Sequence, residues 1–184
     1  MLNAWNENGG RASTLLEIRK SQKFLPDGTF ASQTGKRVTV RAMISHSLIY
    51  IEKLFSNCLN PEDHPYFRDI HRLKVSSHLL IDREGEITQF VPFYKRAWHA
   101  GVSEFQGRQR CNDFSIGIEL EGADHIPYTD SQYSVLAEVS RQIISHYPMI
   151  TADRIVGHSD IAPGRKTDPG DAFDWQRYKQ LLNS

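Results

Sequence analysis

Residues 114–122, FSIGIELEG, alternate more strictly than any other stretch of this chain. Phe114, Ile116, Ile118 and Leu120 take one parity, and Ser115, Gly117, Glu119 and Glu121 the other. Successive side chains of an extended strand point to opposite faces. The stretch therefore predicts a strand with an apolar face toward a core and two carboxylates on the opposite, more exposed face. A chain built around such a strand needs layers that cover the apolar side.

Other elements follow from periodicity. Residues 74–81 and 86–91 read as two strands joined by a hairpin turn at Asp82, Arg83, Glu84 and Gly85. Ile51, Leu54 and Phe55 mark a short amphipathic helix. Thr129 with Gln132 is a capping-box signal for a long helix. Tyr133, Leu136, Val139, Ile143 and Ile144 form its inner face, and it ends before Pro148. Residues 154–157 are predicted as a short strand leading into a Gly/Pro/Asp-rich loop over 159–171. A last helix from about Asp174 turns Trp175, Tyr178, Leu181 and Leu182 inward. Mixed strands and helices without regular alternation predict an α/β or α+β fold with helices packed on a central sheet.

At 184 residues the chain supports one domain with one core. Lys+Arg and Asp+Glu are both 22, which removes any general pull toward nucleic acid or anionic lipid. No apolar run reaches membrane-spanning length, and the first residues lack the basic and apolar regions of a signal peptide. The expectation is a cytoplasmic monomer with neither a nucleic-acid nor a membrane partner. Cys58 and Cys111 are expected to be small buried hydrophobes.

The pattern changes at Tyr50. Upstream, seven Lys or Arg face three acidic residues and periodicity is weak. Residues 13–20 predict two helical turns, 38–44 a weak strand, and Pro26, Asp27 and Gly28 a turn. Solvated or poorly ordered surface is the plainer reading of residues 1–49, beside that of a basic arm for RNA.

Three places could carry chemistry. His158, preceded by Gly157, lies ten residues before Asp168 on a loop that also holds Lys166, Pro169 and Gly170. A His and an Asp so placed can converge on one metal, although a surface His and a turn Asp is the plainer alternative. Glu119 sits on a central-looking strand where a general base would be held rigidly, and Glu121 is its rival. Its alternative is a solvent-facing glutamate or ion-pair partner. Arg96, Ala97, Trp98, His99, Ala100 and Gly101 put an aromatic ring beside an imidazole, as a sugar or peptide site would. There the alternative is Trp98 plugging the core with His99 at the surface.

RAWHAG, CNDFSIGIELEG and RKTDPG resemble the anhydro-N-acetylmuramoyl-L-alanine amidases of cytosolic peptidoglycan recycling, the AmpD type. These are zinc amidases that share their fold with peptidoglycan-recognition proteins. The resemblance covers Tyr50 to about Leu182, so residues 50–184 are expected to be the zinc amidase domain and 1–49 an atypical segment. It implies a central mixed sheet flanked by helices, and a Zn2+ cofactor held by His158 and Asp168. It also implies Glu119 as general base and Lys166 as the oxyanion-stabilising residue. His78, Trp98, His99, Arg110 and Asn112 fall in segments that line the muropeptide groove. The scissile bond would join the lactyl carbonyl to L-alanine.

The family's third zinc ligand is a histidine ending its first central strand, and this chain has no such segment. Ungapped counting places the position near Arg37, whose guanidinium cannot bind zinc. His46 is the nearest histidine, reached only by deleting most of the following loop. The resemblance thus leaves two expectations: an active zinc hydrolase, or a catalytically impaired relative that binds muropeptides without cutting them.

Overall fold

The computed structural model describes residues 46–184 and the backbone of 23–24 and 30–31, with side chains from Tyr50 onward except Glu52. Strands β1 (Lys23–Phe24) and β2 (Phe30–Ala31) pair antiparallel, and the turn expected at Pro26, Asp27 and Gly28 lies outside the described residues. The expectations for residues 13–20 and 38–44, for Arg37 and for the His46 side chain lie outside the described residues.

Helix α1 (His46–Phe55) carries Ile51, Leu54 and Phe55 on its buried side, and α2 (Phe67–Ile70) follows. The central sheet has the order β4-β3-β7, with β3 Leu79–Ile81, β4 Ile87–Gln89 and β7 Ile118–Leu120. β4 runs antiparallel to β3 and β7 parallel to it, so the sheet is mixed. At the β3–β4 turn the Asp82 carboxylate accepts the N–H groups of Glu84 (3.0 Å) and Glu86 (2.8 Å), while Gly85 takes φ +87°. A side chain at 85 would also meet Val135 and Ser131 of the long helix.

Leu79, Ile81, Ile87, Ile118 and Leu120 face helices α3 (Asp130–His146) and α5 (Trp175–Leu182) in the main core. Leu80 points the other way, into a second cluster with Ile51, Leu54, Phe55, Phe67 and Ile70. Glu119 is in register with Leu80 and so lies on that second face. This corrects the expected exposed carboxylate face: helix α1 and α2 cover it, and Glu119 is only 9% exposed.

The regular strands are shorter than the alternation suggests. Upstream of β7 a 3-10 turn at Cys111–Asp113 takes over, and Ser115 Oγ donates to Cys111 O. Residues 154–157 form no strand; a 3-10 turn at Ala152–Arg154 precedes the short helix α4 (His158–Ile161). The Asp160 carboxylate accepts the Gly157 N–H at 2.7 Å, which favours a helical turn there over sheet pairing. Two small ribbon strands, β5 (Glu104–Phe105) and β6 (Arg108–Gln109), pair with each other. Cys111 is buried as expected, whereas Cys58 is exposed because it lies in the turn that leaves α1.

Thr129 and Gln132 cap α3 reciprocally, and Tyr178 Oη donates to Ser140 Oγ at 2.7 Å across the α3–α5 contact. Beside β7 an apolar cavity of about 130 Å³ lies between Ile116, Ile118, Leu136, Ile143, Trp175 and Tyr178. None of the sequence-predicted site residues lines it. Among the described residues no helix is long and apolar enough to cross a membrane.

Candidate functional site

His158 opens α4, and Asp168 sits at the far end of the loop that follows. Ser159 N donates to Asp168 O (3.0 Å), tying the two segments together. A Cβ on Gly157 would stand 2.8 Å from Pro169 Cδ, so glycine is what permits this approach. The Asp168–Pro169 peptide is cis, a feature the sequence reading missed. Both side chains are buried, His158 at 5% and Asp168 at 0% exposure.

His158 Nδ1 lies 3.1 Å from Asp168 Oδ2, and its Nε2 lies 3.1 Å from Ala100 O. Asp168 Oδ1 is buried with no hydrogen-bond partner among the described residues. Two donors about 2.0 Å from one tetrahedral zinc stand roughly 3.3 Å apart, so this spacing suits two corners of such a site. A ligating imidazole commonly donates its other N–H to a backbone carbonyl, as the Ala100 contact allows. The donor set fits zinc as far as it goes. Among the described residues no third His, Cys, Asp or Glu joins the pair.

The rest of the loop is braced from residues 122–128. Tyr128 Oη donates to Pro169 O (3.1 Å), Ala172 N to Asp124 O (3.1 Å), and Thr167 Oγ1 to Asp124 Oδ2 (2.5 Å). Gly170 at φ +76° packs so tightly on Asp124 that a Cβ would lie 2.4 Å from its Cα. On this loop Lys166 is half-buried, and its ammonium makes no hydrogen bond or ion pair among the described residues.

The RAWHAG segment lies between that loop and the sheet. Asn112, 7% exposed, accepts the N–H groups of His99 (3.0 Å) and Ala100 (2.8 Å) through its amide oxygen. Its role in the structure is to hold this segment. The His99 ring rests on the backbone of Gly117, where a Cβ would meet its Cγ at 2.4 Å. Burial, followed by the neighbouring His78 ring, holds the His99 pKa down at about 3. His78 itself is buried, with Nε2 donating to Lys95 O (3.0 Å) and Nδ1 accepting from Gly117 N–H (3.0 Å). These partners assign the neutral Nε2–H tautomer, and burial lowers the His78 pKa in agreement.

Trp98 is 52% exposed and His99 partly buried, the reverse of the core-plug alternative. The Arg96 guanidinium stacks over the Trp98 ring at 3.8 Å, and both Arg96 (2.9 Å) and Arg110 (3.1 Å) pair with Asp113. Arg110 adopts a left-handed backbone, and its side chain is 72% exposed. Arg96, Asp113 and Arg165 lie within the quoted motifs, but the sequence assigned no role to their side chains, since local spacing does not show what they reach. The ring of Trp98 with its guanidinium backing could stack on a sugar face, while Glu119 stands two residues beyond the Gly117 contact.

Comparison with known proteins adds to this geometry. The sequence profile of the N-acetylmuramoyl-L-alanine amidases matches residues 36–171. The 1,6-anhydro-N-acetylmuramyl-L-alanine amidase AmpD of Salmonella typhimurium strain SL1344 is 60% identical over 133 residues, 72% of this chain and 71% of its own length. The crystal structure of a selenomethionine AmpD derivative aligns with TM-score 0.71 and 44% identity over 99% of both chains. The longer alignment, which takes in the first quarter, carries the lower identity. The amidase AmiD from E. coli, in complex with anhydro-N-acetylmuramic acid-L-Ala-D-gamma-Glu-L-Lys, aligns with TM-score 0.54 and 39% identity, over 58% of this chain and 48% of its own.

Proposed function

The chain belongs to the N-acetylmuramoyl-L-alanine amidase family, and from that premise we propose that it hydrolyses, with one zinc ion, the bond between anhydro-N-acetylmuramic acid and L-alanine in muropeptides. The compartment in this reading is the cytosol and the pathway is peptidoglycan recycling, as the resemblance of RAWHAG, CNDFSIGIELEG and RKTDPG implies. The observation that carries the zinc assignment is the buried His158–Asp168 pair at 3.1 Å, with Asp168 Oδ1 left unpartnered among the described residues.

Bound there, zinc supplies the Lewis acidity that makes water a competent nucleophile near neutral pH. Glu119, held rigid at the centre of β7, accepts the proton from the attacking water and passes it to the leaving nitrogen. The Lys166 ammonium stabilises the developing oxyanion, a contribution of about 3–4 kcal/mol where such donors have been removed elsewhere. Trp98 with Arg96 takes the sugar, and Arg110 reaches from the exposed side of the groove. His78 and His99 act from beneath as neutral rings that keep the groove floor uncharged. Residues 50–184 constitute the amidase domain in this reading, with 1–49 set apart from it although the family profile begins at residue 36.

Glu119→Ala decides the central assignment. Hydrolysis of an anhydromuramoyl-L-alanyl peptide should vanish while about one zinc per chain is retained; near-normal turnover by this variant would remove Glu119 from the base role. A second reading, a muropeptide-binding relative without catalysis, draws on the missing third donor among the described residues. Purified chain free of zinc that still binds muropeptide in calorimetry would select it.

A further inference from the structure

Arg165 precedes the proposed oxyanion residue, yet its side chain turns toward the RAWHAG segment and the metal-side histidine. Its Nη2 donates to Ala100 O (2.7 Å) and Val102 O (2.7 Å), and its Nε donates to Val102 O (3.2 Å). These two carbonyls flank Gly101, which adopts φ +58°. A Cβ at 101 would lie 3.2 Å from both terminal guanidinium nitrogens. The turn therefore closes around the planar fork, and the left-handed glycine lets both carbonyls converge on it.

Ala100 O is shared. It accepts from Arg165 and also stands 3.1 Å from His158 Nε2, while Nη2 and Nε2 lie 3.3 Å apart on the same oxygen. A carbonyl has two lone pairs and can serve both donors. In a neutral ring with its hydrogen on Nε2 toward Ala100 O, Nδ1 presents its lone pair toward Asp168 Oδ2, the form a metal-ligating imidazole takes. A zinc ion bound by Nδ1 and Asp168 Oδ2 requires that form of the ring. The orientation of the imidazole thus depends on where the Ala100 carbonyl points, and Arg165 fixes that carbonyl.

We propose that Arg165 is a positioning residue for the metal site: it locks the Ala100 carbonyl that orients His158 for zinc. The assignment rests on the zinc reading above. Arg165 touches neither substrate nor metal in this account and acts only through Ala100 and His158. Asn112 holds the N–H groups of His99 and Ala100 independently, so the segment keeps its place when the guanidinium is removed.

The test is zinc affinity, read by competition with a chromogenic chelator, for wild type, Arg165→Ala and Arg165→Lys. Arg165→Ala should weaken zinc binding by about tenfold or more, the usual cost of losing a group that orients a ligand. Arg165→Lys should recover part of the loss, since an ammonium reaches one carbonyl but cannot fork. At limiting zinc the alanine variant should lose kcat with KM unchanged, and excess zinc should restore it. Wild-type affinity in both variants overturns the proposal. If Arg165→Ala does not fold, Arg165→Lys decides alone, and wild-type affinity there is equally fatal. A wild-type chain that binds no zinc instead defeats the zinc reading, and this assignment with it.

Discussion

At the scale of single residues, Asp82 shows a side chain held where its charge is unwelcome. It is 2% exposed at the β3–β4 turn, and burial raises its pKa to about 6, with the Glu86 N–H opposing and Glu84 and Glu121 adding to the rise. The folded state therefore holds this proton over a pH range in which the unfolded chain has lost it. The stability it contributes is fully present below about pH 4 and is lost as pH rises through about 6. Asp82→Asn keeps an amide oxygen for the Glu84 and Glu86 N–H groups and cannot ionise. Melting temperature followed from pH 4 to 8 should fall less across pH 4–6 in the variant than in wild type. An identical profile would show that Asp82 does not titrate in this way.

Between elements, the long helix is attached to the sheet by its first turn. Thr129 Oγ1 accepts Gln132 N–H (3.1 Å) and donates to Arg83 O (2.7 Å) in the β3–β4 turn. Gln132 returns a bond to Thr129 N–H and donates to Glu121 O (2.7 Å), just past β7. One capping box thus joins α3 to the segments that follow two strands, β3 and β7. Thr129→Ala should destabilise the protein by about 1–2 kcal/mol in urea unfolding, and Thr129→Ser should recover most of it. An alanine variant with an unchanged midpoint would mean that the cap contributes nothing to the assembled fold.

For the molecule as a whole, a metal that binds only the folded chain must raise its stability. The gain is about 2.7 kcal/mol when free metal exceeds the dissociation constant a hundredfold. Chelator-treated protein should therefore melt at lower temperature than zinc-loaded protein, with the difference absent in Asp168→Ala and present in Glu119→Ala. Equal zinc response in all three would place the metal away from the His158–Asp168 pair. The fold brings that pair together through Ser159 N–H on Asp168 O and the close packing of Gly157 on Pro169.

Local pattern by itself determined the periodic and capped parts: α1, the core side of α3 and α5, the β3–β4 turn, and the placing of Glu119 on a sheet strand. These depend on spacing within a few residues, where 2.0 and 3.6 periodicities and cap chemistry leave a direct trace. The quoted motifs also named the family and its candidate residues. Tertiary structure alone decided the rest. It covered the Glu119 face with α1 and α2, ended the alternating stretch at Gly117 beneath the His99 ring, and turned residues 158–161 into a helix. It also recruited Asn112 and Arg165 to the RAWHAG backbone from 12 and 65 residues away. Such contacts depend on which backbone groups the packed layers bring within hydrogen-bond reach, and no local spacing encodes that.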